Sequence, residues 1–195
     1  KMIGLFGETG SGKSTLLNVL TGILEPKNID FCIDGKIYKF NKLPKINIGY
    51  VSQNMFLLDT TIKENIAFGN FSSEINTTKI KKSLEISCAN DFVKKLPKKV
   101  NCIVGDRGLK LSGGQIQRLS LSRALYFEPD ILILDEATNA LDKITESRVL
   151  NNLNKLKKNN KTTIILISHN QSVLDKCDLI FELRNKKILK KYEKK

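Results

Sequence analysis

No apolar stretch in this 195-residue chain approaches the roughly 20 residues needed to cross a bilayer, and nothing at its start reads as a secretion signal. Any membrane role is therefore expected to draw its spanning helices from another segment or chain. The four cysteines, Cys32, Cys88, Cys102 and Cys177, show no C-x-x-C spacing and lie in apolar or mixed segments. They read as buried or free thiols of a reducing cytosol rather than as a metal or redox motif. His169 is the only histidine. No segment repeats internally.

Charge is not lacking, but one sign dominates: 33 Lys and Arg against 20 Asp and Glu give a formal +13. The densest runs are residues 94–99, 155–161 and 186–195, and none is interleaved with aromatics as a groove for single-stranded nucleic acid would be. A solvated lysine-rich surface is the favoured reading, with a phospholipid-facing or nucleic-acid role as the alternative. A hydrophobic content of 41% suits one domain with a substantial core.

What is present is a set of motifs in a demanding order. Gly7-Glu8-Thr9-Gly10-Ser11-Gly12-Lys13-Ser14 is a complete G-x-x-x-x-G-K-[ST] loop, followed by Thr15. Met2 to Phe6 before it is a short apolar run, and residues 13–20 after it are good helix formers, so strand, loop and helix follow in the required context. Backbone N–H groups at such a helix start would point at phosphates, aided by the helix dipole. Lys13 would hold the β- and γ-phosphates of ATP, and the Ser14 hydroxyl would ligate Mg²⁺.

Further along, Phe31-Cys32-Ile33, Asp34-Gly35 and residues 36–40 read as a small antiparallel hairpin, because Asp-Gly favours the tight turn. Residues 46–52 form a strand ending at Gln53. From Thr61 to about Leu96 the apolar spacing turns helical and predicts an inserted helical region. Ser112-Gly113-Gly114 opens a helix whose expected apolar face is Ile116, Leu119, Ser120, Ala124 and Phe127, stopped near Pro129. Residues 131–134 and 163–167 are continuous apolar runs, typical of parallel strands buried on both faces, with an amphipathic helix over 143–156 between them. The fold class is therefore α/β: a phosphate-loop NTPase core with a mainly parallel sheet flanked by helices, a helical insertion and a small antiparallel element.

Chemistry is expected at the strand ends. Asp135 closes a buried strand at its carboxyl edge, where open α/β sheets bind ligands, and could hold Mg²⁺ directly or through water. Alternation along the strand would turn Glu136 the other way, toward the water attacking the γ-phosphate, although Glu136 capping the next turn is an alternative. His169 follows a neighbouring strand and could contact the γ-phosphate or that water. Gln53, also at a strand end, could ligate Mg²⁺ or position water.

Together these residues resemble the nucleotide-binding domain of ATP-binding cassette (ABC) proteins over nearly the whole chain. Leu111-Ser112-Gly113-Gly114-Gln115 is similar to the family signature, residues 7–14 and 131–135 to its two Walker motifs, Gln53 to the Q-loop, Ala140-Leu141-Asp142 to the D-loop and His169 to the switch histidine. The resemblance implies one nucleotide-binding domain over 1–195, with residues 1–52 and 116–195 as α/β core and 53–115 as helical subdomain ending in the signature. It also implies a head-to-tail dimer with a second such domain, in which Ser112, Gly113, Gly114, Gln115 and Asp142 of one protomer face the phosphate loop of the other across ATP.

IGYVSQNMFLLDTTIKENI and Val104-Gly105-Asp106-Arg107-Gly108 look like the exporter branch of the family, where the latter segment contacts the transmembrane domains and glutamate is commoner than Asp106. The implied role is ATP hydrolysis at the cytoplasmic face of a membrane, driving export through transmembrane domains fused or separate; no nucleic-acid partner is expected. The family normally has a longer lead-in carrying an aromatic that stacks on adenine, whereas six residues precede Gly7 here. Either the chain is an excerpt of a longer polypeptide or it binds adenine differently. Asn139 stands where the family usually has serine, and Asn170 where exporters often have arginine. A non-transport cassette acting on nucleic acid or ribosomes, and a cassette that binds ATP only for regulation, are the alternatives.

Overall fold

A computed structural model describes residues 1–105, 108–160 and 162–193. Asp106 and Arg107 of the segment before the signature lie outside the described residues. In chain order the elements are β1 (Met2–Phe6), α1 (Lys13–Leu20), β2 (Asp30–Ile33), β3 (Lys36–Lys39), β4 (Ile48–Val51), α2 (Ile62–Ile66), α3 (Thr77–Ile86) and α4 (Asn90–Val93). They continue with α5 (Gly113–Tyr126), β5 (Ile131–Asp135), α6 (Lys143–Asn160), β6 (Thr163–Ile167), α7 (Gln171–Leu174), β7 (Leu179–Arg184) and β8 (Lys187–Glu193).

The main sheet has the order β4-β5-β6-β1-β7-β8. Its first five strands are all parallel and β8 returns antiparallel to β7. The apolar runs of β5 and β6 supply Leu132, Ile133, Leu134, Ile164 and Leu166, all essentially solvent-free, as strands covered on both faces require. The Asp34-Gly35 turn joins β2 and β3 with both residues at positive φ, 50° and 80°, the geometry that matches the twist of a two-residue hairpin.

Helix α5 connects two separate apolar cores. Leu121, Ala124 and Leu125 pack with the sheet and α6, through Leu132, Leu134, Val149 and Leu153. Leu119 and Tyr126 pack instead with Leu57, Ile62, Ile66, Ile80, Leu84 and Val93 of the helical segment. A helix covered from both sides has no single apolar stripe, so the expected face was incomplete: Tyr126 is buried, and Phe127, just past the helix end, is 41% exposed. Arg123 adds a polar tie, donating to the carbonyls of Asn65 and Phe56 at 2.8 and 3.2 Å. Asn65 in turn exchanges hydrogen bonds with the backbone of Leu58 at 2.9 Å in both directions, fixing the segment that follows Gln53.

Leu119 sits fully enclosed where the helical segment closes on α5. Leu119→Ala is expected to destabilise the fold by about 2–5 kcal/mol, through lost burial and the cavity left behind, in urea unfolding.

Candidate functional site

Because β4, β5, β6, β1 and β7 run in one direction, their carboxyl ends open on the same edge of the sheet. There they form a cleft of about 370 Å³ lined by Thr9, Gly10, Gly12, Lys13, Ser14, Thr15, Gln53, Asp135, Glu136, His169 and Lys186. The sequence-predicted phosphate-loop, strand-end and histidine residues thus meet in one place. Lys186 was not anticipated. It belongs to the two-residue Asn185-Lys186 turn between β7 and β8, and its N–H donates to the Ser11 carbonyl at 2.9 Å. A two-residue turn directly after an apolar strand is the signal that could have found it.

The loop of residues 7–12 is shaped for close backbone approach. A Cβ on Gly7 would stand 2.1 Å from the Leu183 carbonyl oxygen, so no side chain fits there. Gly12, at φ 106°, precedes α1 without any side-chain cap, which leaves the unpaired N–H groups of that helix start facing the cleft. The Lys13 ammonium donates to the Gly7 and Glu8 carbonyls at 2.6 and 2.9 Å, and no carboxylate pairs with it among the described residues. Ser11 Oγ is buried with no hydrogen-bond partner among the described residues. A loop with an unpaired cation, an orphan hydroxyl and free helix-start donors fits a polyphosphate. Beyond Thr15 lies an apolar depression of about 770 Å³, lined by Val19, Ile29, Leu183 and Ile188 among others, and none of its described lining residues is aromatic.

At the end of β5 the Asp135 carboxylate accepts from the Tyr50 hydroxyl at 3.2 Å. Burial pushes the Asp135 carboxyl up from its ordinary range, the Glu136 charge adds to this, and Tyr50 and Lys13 oppose it. Burial and the Asp135 charge push Tyr50 up to about 12. Glu136 does not reach the cleft by strand alternation as expected. The strand has ended, and Glu136 occupies the left-handed region at φ 52°, its N–H donating to the Ile167 carbonyl at 3.1 Å. Its carboxylate accepts from Gln53 Nε2 at 3.1 Å and Asn139 Nδ2 at 3.0 Å, both on Oε2, while His169 Nε2 stands 3.4 Å from Oε1. Gln117 of α5, unremarked in the sequence, bridges its amide to the Glu136 carbonyl at 3.4 Å and the Ala140 N–H at 3.1 Å.

The signature residues are elsewhere. Ser112 caps α5 and exchanges bonds reciprocally with Gln115, at 2.9 and 3.4 Å, and Gly114 lies against the Ala140 carbonyl, where a Cβ would come within 2.9 Å. Asp142 caps α6 through the N–H groups of Thr145 and Ile144 at 2.9 and 3.1 Å, and the Thr145 bonds hold its carboxyl below the usual range. None of these lines the cleft.

The ABC transporter family profile matches residues 1–139. The chain belongs to the ABC transporter family. Among its relatives, the ATP-dependent lipid A-core flippase of Photobacterium profundum is 36% identical over 193 residues, covering 98% of this chain and 32% of the flippase. ABC transporter B family member 21 of Arabidopsis thaliana is 38% identical over 191 residues, 97% of this chain and 14% of that protein. The solved structure of a bacterial Atm1-family ABC exporter with ATP bound superposes with a TM-score of 0.84 at 31% identity, covering 98% of this chain and 34% of the exporter chain. The chain thus spans about a third or less of the length of these relatives. No helix among the described residues is long and apolar enough to cross a membrane.

A carboxyl whose pKa rises on folding favours the native state below its unfolded pKa and loses that contribution as pH climbs through the folded one. In metal- and nucleotide-free buffer, wild type is therefore expected to gain stability relative to Asp135→Asn as the pH falls from about 7 to about 4, followed by urea unfolding at each pH. A pH-independent difference would contradict the burial assigned to Asp135.

Proposed function

We propose that this ABC-family domain hydrolyses ATP to ADP and phosphate and that, paired with a second such domain, it drives a membrane exporter. The observation that carries the reading is the convergence of the unpaired Lys13 ammonium, the Ser14 hydroxyl, Asp135 and a donor-held Glu136 carboxylate in one cleft. Lys13 and the α1 N–H groups bind the phosphates, and the apolar depression beyond Thr15 receives the nucleoside. The oxygen set of the Ser14 hydroxyl, the Gln53 amide carbonyl and the Asp135 carboxylate fits Mg²⁺, a hard cation that takes few protein ligands and completes its shell from phosphate and water. When bound, Mg²⁺ would neutralise charge developing between the β- and γ-phosphates.

In the hydrolytic step, the oxygen of a water bonds to the γ-phosphorus while the bond to the bridging oxygen breaks, its electron pair leaving with ADP. The proton released by that water passes to Glu136. His169, beside Glu136 Oε1, donates toward the γ-phosphate oxygens or the water. Ser112, Gly113, Gly114, Gln115 and Asp142 lie outside their own cleft, which supports their acting on the ATP held by a partner domain. ATP then holds the two domains together, and loss of the γ-phosphate releases them.

The exporter assignment rests on the flippase and exporter relatives, and carries with it transmembrane domains and a place at the cytoplasmic face of a membrane. Neither the nucleic-acid alternative nor the purely regulatory one gains support from those relatives. Glu136→Gln is expected to abolish turnover while preserving or increasing ATP-dependent dimerisation, read by phosphate release and by size-exclusion chromatography with ATP. Unchanged turnover would remove Glu136 from the base role. Specific activity of the wild type should also rise with protein concentration when dilute, because two half-sites must meet; a constant value down to the lowest assayable concentration would argue for a monomeric ATPase.

A further inference from the structure

We propose that Asn139 is a positioning residue that fixes which oxygen of the Glu136 carboxylate is offered to the attacking water. This rests on the reading of the cleft as an ATPase site. The two carboxylate oxygens are not equivalent. Oε2 is held from two sides, by Gln53 at 3.1 Å and Asn139 at 3.0 Å, whereas among the described residues Oε1 has only the long 3.4 Å approach of His169. The Asn139 side chain presents its NH₂ group, since an ionised carboxylate only accepts.

The backbone of Glu136 is already fixed at both ends, by the Ile167 carbonyl on its N–H and by the Gln117 amide on its carbonyl. What stays free is rotation of the side chain, and two amides converging on one oxygen remove that freedom. Oε1 is then the oxygen left to take a proton.

Asn139 is well mounted for this. Its own N–H donates to the Glu136 carbonyl at 3.3 Å, closing a tight turn over residues 136–139. The next residue, Ala140, gives its N–H to Gln117 at 3.1 Å and backs its carbonyl against Gly114 at the start of α5. The amide that orients the base is thus carried by a turn wedged against the signature helix. Asn139 does not line the nucleotide cleft, so it can alter the chemical step without altering ATP binding.

The test compares Asn139→Ser, Asn139→Ala and Asn139→Asp by steady-state ATPase kinetics and thermal melting. The Ala variant should lose about tenfold in kcat, the loss of one charge-assisted hydrogen bond, with the KM for ATP changed by less than about twofold and the melting temperature held. Ser, too short to span the gap, should fall no lower than Ala. Asp, nearly isosteric, faces a carboxylate with a carboxylate and should fall furthest. A purely structural asparagine would lower melting temperature and activity together and would tolerate Asp better than Ala.

Wild-type turnover in the Asp variant, or a parallel loss of kcat and ATP affinity in the Ala variant, overturns the proposal. A second readout needs no turnover: in the nucleotide-free protein, Glu136→Gln should move the ¹⁵N side-chain amide resonances of Asn139. Unmoved resonances overturn the contact itself. Moved resonances in a wild type without ATPase activity overturn the positioning role and the ATPase reading together.

Discussion

The common direction of five parallel strands is the constraint on which everything else in this domain depends. Parallel pairing needs a crossover outside the sheet for each strand, and every crossover here returns the chain so that the next strand ends at the same edge. Gln53 after β4, Asp135 and Glu136 at β5, His169 beyond β6, the phosphate loop after β1 and Lys186 after β7 come from positions far apart in sequence. They meet because they are all strand-end residues. Each lies at or just beyond the end of a strand held in the sheet, and that is what lets a small cleft set the Glu136 carboxylate 3.1 Å from Gln53 and 3.4 Å from His169, on two other segments.

Helix α5 extends this order into the helical segment. Its apolar side chains divide between two cores, and its polar ones reach in both directions. Gln117 grips the Glu136–Ala140 turn, while Arg123 grips the segment that follows Gln53. The Arg123 guanidinium is desolvated, which lowers its pKa, and it lies 5.5 Å over the Phe68 ring, so among the described residues its charge meets carbonyls, an amide oxygen and an aromatic face rather than an acid. A shift of α5 would be felt at once by the turn carrying Asn139 and by the stretch that follows Gln53, the two residues that donate to Glu136 Oε2.

Much of this was legible in the sequence, for reasons that differ by element. The phosphate loop and the strands β5 and β6 carry signals in their own residues: glycines where backbone must come close, and unbroken apolar runs where both faces are covered. The two-residue hairpin announced itself by Asp34-Gly35. What escaped the sequence depends on tertiary surroundings. Phe127 fits a helical stripe, but α5 ends at Tyr126 and is buried on two sides, so periodicity misassigned the residue that is enclosed. Glu136 was rightly grouped with the strand end but for the wrong geometric reason, since a left-handed residue after the strand, not the pleat, aims its side chain. Lys186 and Gln117 carry no motif, and Asn139 stood out only as a departure from the family's usual serine; what each of them touches comes only from what the fold sets beside it.

The distribution of helix caps bears on how the two helix starts proposed to meet phosphate would divide that work. Of the four helices with eight or more residues among the described residues, α3, α5 and α6 have side-chain caps, from Asn76, Ser112 and Asp142, and α1 has none there. An uncapped helix start facing Lys13, beside a buried Ser11 hydroxyl with no partner among the described residues, leaves donor capacity open to water or a ligand, which agrees with the proposed binding of phosphates by one domain alone. At α5 the reciprocal Ser112–Gln115 bonds satisfy the N–H groups of Ser112 and Gln115, and leave those of Gly113 and Gly114 without a capping contact among the described residues. That start is stable by itself yet retains two donors on residues with no side chain to obstruct approach. Such a surface can meet a phosphate already held elsewhere and let it go again, which is what the proposed reversible contact between two ATP-bound domains would require.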